Sequence, residues 1–205
     1  MTTNRQQICI FAGSGTPSDP AIMAAAQKLG TQLGEGGYDL VYGGGTGGVM
    51  GAVAQAACAA GADVTAVTLE KYSHETQIDG AKVHTVVTEA ERFKYFSASA
   101  PAAYFVLPGG PGSLREALQG LEEAVYGTGA PVILVKVGAY LDGIKQYFDL
   151  AVAAGMIKAD KKDCLKIWSV DKGLDTVLAS AASKLDDQRG EYLWLRTPHP
   201  SAKKL

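Results

Sequence analysis

Apolar residues fall along this chain in two kinds of block. Short apolar-rich runs occupy 7–12, 39–42, 64–69, 83–87, 104–107, 131–135 and 165–168, and each is followed by glycine, proline or polar residues. Runs of this length, bounded by turn residues, predict strands. Between them apolar positions recur every three or four residues, which predicts helices. The first carries Ile22, Ala25, Ala26, Leu29 and Leu33 on one face and runs to about Gly34. Asp19 and Pro20 supply its cap and first position, and Gly36-Gly37 stop it. Further helices are predicted over 49–60, 89–99, 113–126, 142–154 and 172–185, whereas 70–82 is polar and without clear periodicity.

Strands that alternate with helices in this way predict an α/β fold: a doubly wound, mostly parallel, Rossmann-like sheet with helices on both faces. The expected organisation is a single domain over 1–188, with 189–205 a surface extension of mixed charge containing two prolines. Ligands of such sheets bind outside the carboxyl ends of the strands, at the switch point of the strand order. Three glycine-rich turns fall at strand ends, at 13–16, 43–48 and 108–112.

Composition narrows the partners. With 47% hydrophobic residues, 20% charged residues and a formal net charge of −2, the chain offers no electrostatic case for nucleic acid. Phosphate recognition would therefore be local, made by backbone amides and a few cations. Cys9 and Cys58 lie in apolar stretches, as small buried hydrophobes do. No CxxC pair or histidine spacing marks a metal site, so none is expected. Residues 1–7 are polar with no signal core, and no run approaches the ~20 apolar residues of a membrane span. The expectation is a cytoplasmic protein with no membrane partner.

The most informative segment is Leu107-Pro108-Gly109-Gly110-Pro111-Gly112-Ser113-Leu114-Arg115-Glu116. It joins a buried strand to a helix, where free amides and the helix N-terminus can face an anion. Glu116 stands one turn into that helix. The alternative is a solvated acid favoured there by the helix dipole, and position alone does not separate the two. The run Gly43 to Gly48 fits the dinucleotide fingerprint poorly, because it follows the second strand and lacks the later acid. No GxxxxGK[ST] motif occurs.

Together, Gly43-Gly44-Gly45-x-x-Gly48-Val49-Met50-Gly51 and Pro108-Gly109-Gly110-x-Gly112-Ser113-x-x-Glu116 resemble the paired motifs of the LONELY GUY (LOG) family. These are cytokinin-activating nucleoside 5′-monophosphate phosphoribohydrolases, whose bacterial members were long labelled lysine decarboxylases. The resemblance covers about residues 7 to 180 and includes Gly13-Ser14. It implies hydrolysis of the N-glycosidic bond of AMP or an N6-modified AMP, without a metal or redox cofactor, in a homodimer. It also implies a phosphate site at Pro108, Gly109, Gly110, Gly112 and Ser113, with Gly13, Ser14, Gly44 and Gly45 beside it. Glu116 would stabilise the ribosyl cation, in keeping with the oxocarbenium character of glycosidic cleavage.

The family's Arg-Lys pair stands fifteen and fourteen residues before the proline of PGG. Those positions here are Phe93 and Lys94, with Arg92 one residue earlier. Arg92 (catalytic) and Lys94 (substrate-binding) are the candidates, although one residue rotates a helical side chain by about 100°. The family's tryptophan after PGG is replaced in the Ala124-Val125-Tyr126 neighbourhood, where the base pocket is expected. Two other readings therefore stand beside hydrolysis of AMP: a non-hydrolysing nucleotide binder of the same fold, and a glycosidase retuned to a pyrimidine nucleotide. Arg115 reads as an exposed helix residue, Lys161-Lys162 as a solvated loop, and Tyr95-Phe96 and Tyr147-Phe148 as core aromatics. His74, His84 and His199 share no catalytic spacing with a serine or cysteine.

Overall fold

The computed structural model describes residues 5–73, 78–126 and 130–179. Its elements follow the predicted order: β1 (Gln7–Phe11), α1 (Pro20–Glu35), β2 (Asp39–Tyr42), α2 (Gly48–Ala59), β3 (Val64–Leu69), β4 (Lys82–Val86), α3 (Glu89–Ala98), β5 (Tyr104–Val106), α4 (Pro111–Val125), β6 (Val132–Val135), α5 (Asp142–Ala153) and β7 (Leu165–Trp168). The polar stretch after β3 opens with a single 3-10 turn, Glu70–Tyr72. Residues 174–179 are helical, and the rest of the helix predicted over 172–185, like the expected 189–205 extension, falls outside the described residues.

All seven strands are parallel, in the order β4-β3-β2-β1-β5-β6-β7. The chain builds outward from β1 to β4, then α3 carries it back so that β5 lies beside β1. Ile10 pairs with Phe105 and Phe11 with Val106. The switch point is therefore the crevice between the carboxyl ends of β1 and β5.

Strand parity sorts the core into two layers. Ile8, Ile10, Phe105 and Leu107 face α1 and α2, and the segment after β7 returns to that side through Val170, Leu174 and Val177. Cys9, Phe11, Tyr104 and Val106 face the other side, where Phe93 and Phe96 of α3, Ala117 and Leu121 of α4 and Phe148 of α5 complete the packing. The rings of Phe11 and Tyr104 stack with centroids 5.4 Å apart, and Phe96 meets Phe11 edge-on at 5.6 Å. This aromatic layer seats α3 directly beneath the crevice.

Local signals account for the helix starts. The Asp19 carboxylate accepts a hydrogen bond from the Ala21 amide at 2.9 Å, and Pro20 takes the first helical position. Thr88 and Glu91 form a reciprocal capping box that fixes the entry to α3. Helix α4 begins at Pro111, two residues before the predicted start, because proline suits the first turn and Gly110 serves as the cap.

Two expectations are corrected. Tyr147 is exposed while its neighbour Phe148 is fully buried, since adjacent helical residues point about 100° apart. Lys161 is buried in the 3-10 segment Ala159–Cys164 rather than solvated. His84 lies on the edge strand β4 with its ring 4.6 Å from that of Tyr95, and His74 and His199 lie outside the described residues. Cys9 is buried, and Cys58 is only partly covered.

Candidate active site

The crevice is drawn shut by backbone contacts among the three glycine turns. Beyond the strands the β1–β5 ladder continues: the Leu107 amide donates to Phe11 O at 2.9 Å, and the Gly13 amide donates to Pro108 O at 3.2 Å. The Met50 amide, in the first turn of α2, donates to Gly13 O at 2.9 Å. Glycine is required where these backbones touch. A Cβ on Gly109 would stand 2.7 Å from the Gly13 amide nitrogen and overlap Ser113 Oγ. Gly48 has φ +56°, and a Cβ there would lie 2.5 Å from Ser14 O.

Above this contact, the N-terminus of α4 is open. No side chain caps it, Pro111 has no N–H, and the Gly112 and Ser113 amides belong to the turn that lacks intrahelical partners. Nothing crowds Gly110 or Gly112. The geometry is that of an anion site built from amides and the helix dipole.

Glu116 lies one turn further along α4, in the buried stripe Ser113, Glu116, Ala117, Gly120, Leu121 and Ala124. It is therefore not a solvated first-turn acid: only 8% of its surface is exposed. The Arg92 guanidinium reaches across from α3 and donates to Glu116 Oε1. Another side of the same guanidinium faces Gly43, with Nη1 3.8 Å from where a Cβ would be. Arg92 also pairs with Glu89 at 3.2 Å, and Arg115 pairs with Glu89 at 2.9 Å. Burial pushes the Glu116 carboxyl above its ordinary range, and the Arg92 charge and hydrogen bond partly oppose that shift. Cys9, beneath the pair on β1, has its thiol pushed up by burial and by the Glu116 charge.

A cleft of about 550 Å³ opens on the α1 side of the turn, lined by residues including Thr16, Asp19, Val49, Gly109, Val137 and Tyr140. No lysine or arginine is among its lining residues. The Tyr140 hydroxyl donates to Gly109 O at 2.8 Å and ties the β6–α5 loop to the glycine turn before α4. The rim is thus divided, with its cations beside α3 and α4 and, beside α1, a cleft whose charged lining residue is Asp19.

The structure brings together Arg92, Glu116, Gly13, Pro108, Gly109, Gly110, Gly112 and Ser113. Ser14 is exposed in the β1–α1 loop, where its carbonyl faces Gly48. Gly44 and Gly45 are buried below the rim, Gly44 against Thr68 of β3, so neither opens onto the cleft. Lys94 is exposed, about 200° around α3 from Arg92, and is not part of the cluster. Three contributors went unread in the sequence. Glu89 was visible in its i,i+3 spacing to Arg92. Asp19 was read only as a helix cap, and Tyr140 follows a buried strand, where rim loops arise.

Residues 50–178 match the family model described as "Possible lysine decarboxylase". The "Cytokinin riboside 5'-monophosphate phosphoribohydrolase LOG7" of Arabidopsis thaliana is 36% identical over 92% of this chain and 88% of its own length. The rice (Oryza sativa subsp. japonica) "Probable cytokinin riboside 5'-monophosphate phosphoribohydrolase LOGL1" is 37% identical over 75% of this chain and 70% of its own. Among solved structures, the molybdenum cofactor binding protein of the phototrophic bacterium Rippkaea orientalis superposes with a TM-score of 0.65 at 21% identity, covering 87% of this chain and 98% of its own. That likeness is one of fold.

Proposed function

The chain belongs to the LOG family of cytokinin riboside 5′-monophosphate phosphoribohydrolases, and on that premise we infer that it hydrolyses the N-glycosidic bond of a nucleoside 5′-monophosphate. The substrate class is AMP or an N6-modified AMP, and the products are the free base and ribose 5-phosphate. The observation that carries this reading is the Arg92–Glu116 pair, buried beside an uncapped helix N-terminus.

Each part has a physical task. The Gly112 and Ser113 amides hold the 5′-phosphate, assisted by the Ser113 hydroxyl and the α4 dipole. As the C1′–N bond breaks, positive charge grows on the ribose ring, and the Glu116 carboxylate stabilises it within a site of low polarity. Water then adds to C1′, its proton leaves, and the departing base takes up a proton. Arg92 does not serve as the acid, because a guanidinium keeps its proton in proteins. Its role is to keep Glu116 ionised despite burial and to donate hydrogen bonds to the ribose or the departing base. The cleft beside α1 suits the base, since it shares Gly109 and Gly110 with the phosphate turn and offers the Asp19 carboxylate as an acceptor for a base N–H.

The same reading extends to assembly and place. A homodimer through the outer faces of α4 and α5 is supported by the exposed apolar side chains Leu114, Leu118, Tyr147 and Leu150. Action in the cytoplasm, on a domain spanning 1–188, is in keeping with the absence, among the described residues, of any helix long and apolar enough to cross a membrane.

The test is release of free base from AMP, N6-isopentenyl-AMP, GMP, CMP and UMP. Release from the adenine nucleotides supports the reading. Release from CMP or UMP alone would move the substrate class to pyrimidines. Measurable binding without release from any of the five would overturn it in favour of a nucleotide-binding protein.

A further inference from the structure

Glu89 is the carboxylate around which the cations of this rim gather. Its Oε2 lies 3.2 Å from Arg92 Nη2 and 2.9 Å from Arg115 Nη2, and its Oε1 lies 3.8 Å from Lys71 Nζ. Those three cations come from α3, α4 and the turn after β3, so one side chain ties together three elements beneath the crevice. The same Arg92 nitrogen that meets Glu89 also meets Glu116.

A guanidinium held by one partner can pivot about it, and a long side chain loses considerable rotamer freedom when it is fixed. Arg92 also has a competing attraction, because the anion site at the α4 N-terminus sits close by. A dianionic phosphate bound there would draw an unrestrained guanidinium away from Glu116. A second carboxylate on the α3 side opposes that swing and keeps the guanidinium in the plane that faces both Glu116 and Gly43. Arg115, drawn to the same carboxylate, covers the outer side of the pair while remaining half-exposed.

We propose that Glu89 is a positioning residue, which holds the Arg92 guanidinium against Glu116 and reserves it for the ribose end of the substrate rather than the phosphate. Its consequence for turnover rests on the hydrolase reading above, whereas the orientation of Arg92 does not. Glu89 touches no substrate in this account and acts only through Arg92.

The experiment uses full-length protein labelled with 15N-arginine, with the Arg92 signals assigned by their loss in Arg92→Lys. Glu89→Gln is the main variant, since it keeps the side-chain size at the first position of α3 and leaves the Thr88–Glu91 capping box intact. In the parent protein the Arg92 guanidinium protons give separate signals, because rotation is restricted. In Glu89→Gln they collapse to an averaged signal, and Glu89→Asp restores most of the separation. With AMP, kcat falls by about tenfold in Glu89→Gln while KM stays within about twofold, as for an interaction felt mainly in the transition state. Arg92 signals unchanged in Glu89→Gln would overturn the proposal, and so would averaged signals with unaltered kcat. A parent protein that binds AMP but releases no adenine would instead sink the hydrolase reading, and the Arg92 spectrum alone then decides the role of Glu89.

Discussion

The Arg92 guanidinium donates to the Glu116 carboxylate across the gap between α3 and α4, 24 residues apart along the chain. Both groups are nearly shielded from water, with side chains 12% and 10% exposed. In such surroundings each controls the other: Glu116 needs Arg92 to stay ionised, and Arg92 needs a carboxylate to tolerate burial. Five expectations follow from this pair and the turns that hold it.

The pH dependence of base release reports the ionisation of Glu116. Burial raises its pKa and Arg92 only partly opposes the rise. A carboxylate that works ionised gives an acid limb in the kcat profile, with a midpoint above the ordinary glutamate value of about 4.3. A profile of kcat against pH checks this; an alkaline limb assigned to Glu116 would mean that the protonated acid is the working form.

Stability should depend on the same group with a definite sign. The folded state binds the Glu116 proton more tightly than the unfolded chain does. Its contribution to folding is therefore fully present below the unfolded pKa and lost as pH rises through the folded one. The stability of Glu116→Gln relative to the parent is expected to rise between about pH 4 and about pH 7.5, because only the parent loses this contribution as the carboxyl ionises. Urea unfolding of both proteins at the two pH values measures it.

Gly109 admits no side chain. In Gly109→Ala the new Cβ would press on the Gly13 amide and on Ser113, forcing the phosphate turn to shift. The expected result is a loss of about 1–3 kcal/mol in stability and at least tenfold weaker binding of ribose 5-phosphate, read by calorimetry.

Tyr140 latches the β6–α5 loop to Gly109 through its hydroxyl. Tyr140→Phe removes one exposed hydrogen bond worth about 1 kcal/mol or less and leaves the ring in place. KM for AMP should rise a few-fold with kcat nearly unchanged. Tyr140→Ala, which also removes the wall of the cleft, should raise KM further.

Ala100 is the one described non-glycine residue with positive φ, at +49°, and it lies between α3 and β5. The resemblance to the family motifs implies one more residue here between Arg92 and Pro108, and the strained alanine falls inside that interval. Ala100→Gly should therefore raise stability by roughly 0.5–1 kcal/mol, measured by urea unfolding, without altering activity.

Much of this was legible in the sequence. Short apolar runs separated by periodic segments give seven strands and the helices between them, although the edge strand β4 proves exposed, and the glycine turns at 13–16 and 108–112 mark the switch point where the cleft lies. What the pattern did not reveal has physical causes. The one-residue offset of Arg92 placed its direction beyond sequence reasoning, because that direction depends on how α3 is seated by Phe93 and Phe96 against Phe11. Gly44 and Gly45 looked like part of a ligand cradle, but the approach they permit is to β3 and to Met50. Tyr147 and Phe148 looked alike until helical rotation separated them. Glu89 was masked by its place in an ordinary charged first turn, Glu89-Ala90-Glu91-Arg92.

The central claim is that Glu116 acts on the reacting ribose while the amides of the α4 turn bind the phosphate. Its most direct test compares single-turnover release of adenine from AMP by the parent protein and by Glu116→Ala, alongside the affinity of each for AMP. The account expects the rate to fall by at least about 10²-fold, with affinity changed by less than about tenfold, as for a group that stabilises charge developing in the transition state. Adenine released at the parent rate by Glu116→Ala would contradict it.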